Sequence, residues 1–170
     1  MATRKQNVLL FLDFDGVLHP FAARNDKAQQ FIYLASIEEI LREFPEVNIV
    51  VTSDWRLRFS IDELRGFFAS DIATRIIGVT PEIQLRETTD ILGSRLREIE
   101  AFLLSYSSVV QSWLALDDDA SLFSSDCSEL ILCTELFATN RFSMLEERLR
   151  KSLNKIANHS ESFNQRKYDG

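Results

Sequence analysis

The chain has little of several things, and each shortage removes a class of protein. Among its 170 residues there are two cysteines, Cys127 and Cys133. They make neither a disulfide framework nor a metal-ligand spacing. Cys133 falls in the apolar run Leu130 to Cys133, as a buried structural thiol would. Five glycines and three prolines exclude a low-complexity or collagen-like chain. No apolar run approaches a membrane span. The basic pair Arg4 and Lys5 precedes Val8 to Leu12, which is too short for a signal-peptide core. No membrane association and a reducing cytoplasmic location are expected. The formal net charge is −7, without the basic stripe of a dedicated duplex binder. No segment signals a partner chain or fixes an oligomeric state.

What is present is an alternation of strand-like and helix-like segments. Val8 to Leu12 is a continuous apolar run leading into Asp13, as in a strand buried on both faces. Ser36 with Glu39 has capping-box spacing and predicts a helix bearing Ile37, Ile40, Leu41 and Phe44, stopped by Pro45. Val47 to Val51 reads as a second buried strand. Ser60 with Glu63 is a second capping box, before Leu64, Phe67 and Phe68. Ile76 to Val79 is a short strand. Ser94 to Leu104 is a helix with Leu96, Ile99 and Leu103 on one face. Trp113 to Leu116 and Leu130 to Cys133 are further strands. Ser143 with Glu146 caps a last helix carrying Leu145, Leu149 and Leu153. The pattern predicts an α/β fold: one Rossmann-like domain over 1–155, its parallel sheet flanked by helices, and a polar tail over 156–170. Most of the thirteen Phe residues should be core.

Open parallel sheets bind ligands at the carboxyl ends of their strands, and the polar clusters fall there. Asp13 ends the first strand, with Asp15 two residues on and Gly16 next. Two carboxylates so close repel unless a cation or proton lies between them; an Asp-Gly turn is the plainer alternative. Thr52, Ser53, Asp54, Trp55 and Arg56 follow the second strand directly. Hydroxyls and free backbone donors there suit phosphate oxygens, or else simply cap a loop. Arg56 suits a substrate anion or a surface acid, and Trp55 suits packing. Asp117, Asp118 and Asp119 leave another apolar strand, and hard oxygen ligands of this kind suit magnesium.

Asp13-Phe14-Asp15-Gly16-Val17-Leu18 resembles the first motif of the haloacid dehalogenase superfamily. Thr52 sits where that superfamily has its second-motif Ser or Thr, and Asp117-Asp118 resembles its fourth-motif acids. The likeness spans about residues 8 to 133. Arg95 is the expected third-motif cation, with Arg97 and Arg86 as alternatives. The short core, the Ser53-Asp54-Trp55-Arg56 run and the tandem acids are similar to the phosphatase-like domains of RNA repair proteins. An Arg at the third motif and the extra acid Asp119 depart from the usual pattern and leave the metal ligands open.

The resemblance implies a magnesium-dependent phosphomonoester hydrolase. Asp13 would attack phosphorus and form an aspartyl-phosphate, and Asp15 would serve as general acid and then base. Asp13, the Asp15 carbonyl and Asp117 or Asp118 would hold Mg2+. Thr52, Ser53 and Arg95 would hold the phosphoryl group. Arg56 and His19 are the candidate substrate contacts, although His19 also suits packing within a small flap over His19 to Tyr33. About 36 residues lie between Asp15 and Thr52 and about 64 between Thr52 and Asp117, which leaves no room for a large cap. An open site suits a large phosphorylated substrate, a nucleic-acid end among them. The alternative is a non-catalytic phosphate- or metal-binding module on the same fold. A receiver domain fits less well, because Asp54 lies off the strand and no Lys follows Cys133 where one belongs.

Overall fold

The computed structural model describes residues 7–133 and 146–156. Five parallel strands form one sheet in the order β3-β2-β1-β4-β5. They are β1 (Val8–Leu12), β2 (Val47–Val51), β3 (Ile76–Val79), β4 (Ser112–Asp117) and β5 (Leu130–Leu132). The helices are α1 (Leu34–Glu43), α2 (Ile61–Arg65), α3 (Ser70–Ala73) and α4 (Ser94–Ser105), and residues 146–156 are also helical. The expected Ser143 cap and Leu145 lie outside the described residues.

Side-chain alternation sorts the core into two layers. Val8, Leu10 and Leu12 of β1 join one apolar cluster, with Ile37, Ile40 and Leu41 of α1, Leu64 of α2, Ile72 of α3, and Leu149 and Leu153. Leu9 and Phe11 point the other way, into a cluster with Leu96, Ile99, Phe102 and Leu103 of α4. All five residues of β1 are buried, so the continuous apolar run reflects a strand covered on both faces. Phe11 meets Phe102 and Trp113 edge-on at 5.7 and 5.6 Å.

The capping box at Ser60 and Glu63 is formed in both directions and starts α2, which ends at Gly66. The Ser36 expectation is corrected. α1 begins at Leu34 after Tyr33, without a side-chain cap bond, and Ser36 lies inside its first turn. Turns over the preceding residues, closed by Tyr33 N donating to Leu18 O and Leu34 N to Phe31 O, deliver the chain into the helix earlier. The stripe Ile37, Ile40, Leu41 and Phe44 is buried as the spacing predicts. Among the described residues no cap domain is inserted between the strands.

Register brings the polar clusters level. Leu12 pairs with Val51 on one side and Leu116 on the other. Beyond them Asp13 N donates to Leu116 O and Thr52 N donates to Leu12 O, both at 3.0 Å. β1 is the strand from which the chain first builds outward through β2 and β3, then returns to add β4. The crevice at that reversal is the usual ligand position in such sheets, and Asp13 and Asp117 flank it.

Candidate active site

Three carboxylates meet at this edge. Asp13, Asp117 and Asp118 each offer an oxygen within 4.8 Å of the others. Asp13 and Asp117 are buried, and Asp118 is half-buried. Burial dominates the protonation of all three, and Arg95 offsets it only in part. Burial pushes the Asp13 carboxyl up to about 6, against the pull of Arg95, a Phe14 backbone donor and the Ser53 hydroxyl. Burial and then the Asp13 charge push Asp117 up to about 8. Burial also raises Asp118. Acids that hold their protons this tightly have too little counter-charge to offset their burial and mutual repulsion, even with Arg95 beside them. Asp119 is different: exposed, it accepts from Ser121 N and Oγ and caps the following turn.

Arg95 lies buried beside the cluster at the start of α4. Its Nε stands 3.2 Å from Asp117 Oδ2. Nevertheless Arg95 Nε, Arg95 Nη1 and Asp117 Oδ2 are all buried without a well-formed hydrogen bond among the described residues. Burial works against the Arg95 charge, but Asp13, Asp117 and Glu98 outweigh it and raise its pKa. The alternatives are placed elsewhere. Arg97 donates to the backbone oxygens of Leu92 and Asp90, and the Arg86 side chain is exposed.

The orphaned Asp117 oxygen, the elevated acids and an all-oxygen donor set fit a small hard cation such as magnesium. Gly16 completes the cradle. Its φ is +77°, and a Cβ there would lie 2.0 Å from Asp118 Oδ2. Gly16→Ala should therefore displace Asp118 as well as strain the turn. The expected result is a loss of about 1–3 kcal/mol in unfolding stability together with a weaker magnesium-induced rise in Tm. A variant indistinguishable from the parent in both would show that Gly16 does not support Asp118.

Asp15 is held apart from the three acids. His19 Nδ1 accepts from Phe31 N at 3.5 Å, which leaves Nε2 to donate to Asp15 Oδ1 at 2.9 Å. Trp55 Nε1 donates to the same oxygen at 3.1 Å. Burial acts to raise Asp15, but these two bonds and the nearby charges outweigh it and lower its pKa. An aromatic pack fixes both donors. Phe31 lies edge-on to His19 and Trp55 and stacks on Phe67 at 4.8 Å, which steadies its unusual φ of +61°.

Two expected substrate contacts need correction. The His19 side chain is 0% exposed and is spent on Asp15 and Phe31. The Arg56 side chain is 2% exposed, pairs with Glu98 at 2.7 Å, and donates to Thr52 O and Thr80 O. Both orient other groups because packing encloses them. Arg56 thus ties the Thr52 turn to the end of β3 and, through Glu98, to α4. Ser53 Oγ is buried near Asp13 without a well-formed hydrogen bond. The roles of Trp55 and Glu98 were not legible beforehand. Only the spacing of Glu98 three residues after Arg95, on one helix face, gave a signal.

A parallel sheet with a buried Asp at the end of its first strand and further acids at the end of the strand beside it, β4, defines the haloacid dehalogenase class of α/β fold. The chain belongs to the family described as the HAD domain in Swiss Army Knife RNA repair proteins, which it matches over residues 9–153. Membership suggests phosphatase-type hydrolase chemistry. No curated protein and no solved structure matches the chain. Among the described residues no helix is long and apolar enough to cross a membrane.

Proposed function

We infer that the chain is a phosphomonoester hydrolase acting through Asp13, with magnesium as its cofactor. The observation that carries this reading is the Asp13, Asp117, Asp118 cluster beside a buried arginine whose Nε and Nη1 make no well-formed hydrogen bond among the described residues. Asp13, Asp117 and Asp118, with the Asp15 backbone carbonyl, would hold the ion. Bound there, the ion would supply positive charge to offset the carboxylates and the phosphate oxygens.

The residues themselves divide the work. Asp13, anchored by its backbone to β4, presents a carboxylate oxygen as nucleophile and becomes the aspartyl-phosphate. Thr52, Ser53 and Arg95 supply donors for the oxygens of the transferring group. Asp15, held in place by His19 and Trp55, starts ionised. An incoming phosphate beside it would raise its pKa, so that it takes up a proton from solvent and passes that proton to the leaving oxygen. Deprotonated again, it would take a proton from the water that cleaves the intermediate.

Family membership and the uncapped sheet edge support a large substrate, and the RNA repair setting of the family supports a phosphorylated nucleic-acid end. The test is hydrolysis of p-nitrophenyl phosphate and of a panel of phosphorylated nucleotides and RNA ends, with magnesium and with EDTA. Turnover that needs magnesium is expected. No release of phosphate from any of them, by folded protein, would favour a non-catalytic phosphate- or metal-binding module instead.

A further inference from the structure

Arg58 closes the turn that follows Thr52 and Ser53, and it is exposed. Its guanidinium carbon lies 5.7 Å from the centroid of the Trp55 ring. The same indole donates to Asp15. Arg58 and Asp15 are therefore referenced to one ring, itself clamped by Phe59, Phe31 and Phe67.

The neighbouring arginines are committed elsewhere. Arg56 is locked to Glu98 and to two backbone carbonyls, and Arg95 is buried among the acids, where the reading above gives it to the transferring phosphoryl group. Among the described residues no carboxylate pairs with Arg58, although the chain carries 26 acids against 19 Lys and Arg. In such a chain an exposed guanidinium steadied on a ring and left without an anion is complementary to an anion brought by the ligand.

Its position says which part of the ligand. Thr52, Ser53 and Arg95 lie with Asp13, on the side of the transferring phosphoryl group. Arg58 lies with Trp55 and Asp15, on the side where a leaving oxygen would be protonated. We propose that Arg58 is a specificity residue that binds a second phosphate carried by the leaving group, so that the site prefers phosphomonoesters whose alcohol is itself a phosphate ester. This rests on the phosphohydrolase reading above. Two sources share that chemistry: the end of a nucleotide strand, where the next phosphodiester is the second anion, and a small bisphosphate.

The experiment compares kcat/KM within two substrate pairs, using the full chain with magnesium. One pair is a 5′-phosphorylated dinucleotide against the matching nucleoside 5′-monophosphate. The other is a sugar bisphosphate against the sugar monophosphate. The wild type should prefer the member with the second phosphate in at least one pair, and the pair that shows the preference identifies the source. Arg58→Gln should reduce that preference roughly tenfold, mainly through KM. Arg58→Lys should restore part of it, and added salt should erode it in the wild type. An unchanged preference in Arg58→Gln, or an equal loss on both members of each pair, would overturn the assignment. Turnover of p-nitrophenyl phosphate without a preference for the second phosphate in either pair would overturn this assignment alone, whereas no phosphate release from p-nitrophenyl phosphate or from any of the four substrates would overturn the hydrolase reading and the proposal with it.

Discussion

Asp13→Asn is expected to remove magnesium-dependent phosphate release almost completely, by roughly 10³- to 10⁵-fold in kcat. An amide has nearly the shape of the carboxylate but cannot form an acyl phosphate. The substitution leaves the Asp13 N–H to Leu116 O bond in place, because that bond is made by the backbone. It also removes a buried charge whose carboxyl is pushed up to about 6 by burial, so the variant should fold at least as well as the parent. Loss of activity with an unchanged or higher Tm would place the effect in the site and not in the fold. Acid quenching of the wild type during turnover should trap labelled phosphate on the protein, and the variant should trap none. Turnover within about tenfold of the wild type would exclude a covalent route through this residue.

The second large effect concerns stability and has an unusual sign. Asp117 is raised from 3.8 to about 8 by burial and by Asp13. A carboxyl raised in the folded state contributes stability that is fully present below the unfolded value near 4. That contribution is lost as pH rises through the folded value near 8. The metal-free protein should therefore lose stability across that window. Asp117→Asn removes the titration, so in EDTA at pH 8 the variant should melt above the wild type. Asp13 and Asp117 titrate as a pair, so removing one relieves only part of the repulsion. A gain on the order of 2 kcal/mol, or roughly 4–8 °C in Tm, is expected. Near pH 4 the advantage should vanish.

Magnesium should reverse the ranking. Saturating ion at about 100 times its Kd would stabilise the wild type by about 2.7 kcal/mol. Asp117→Asn, which lacks one of the three clustered carboxylates, should gain much less. Melting curves with EDTA and with magnesium at pH 5 and pH 8 test both halves. A variant that melts below the wild type in EDTA at pH 8 would mean that the Arg95 ion pair outweighs the repulsion between the acids.

Much of this was legible in particular residues. The run Val8 to Leu12 predicts a two-faced strand because every position must be apolar when both faces are covered. Ser60 and Glu63 predict a helix start because both cap bonds are made within four residues. The same spacing at Ser36 and Glu39 misleads, because the preceding turns at Leu18 and Phe31 had already started α1.

The order of residues alone sets the strands, the helix faces and the fact that acids and hydroxyls end three different strands. Those features depend on neighbouring residues and on the period of each element. What each polar side chain meets depends on the packing of distant segments. Trp55 reaches Asp15 across 40 positions of chain, and Arg56 reaches Glu98 on a different element. Arg56 and His19 are enclosed while Arg58 stays open, although Arg56 and Arg58 are two residues apart with the same charge. Burial is set by how the layers close over a side chain, and no local pattern of residues encodes that closure.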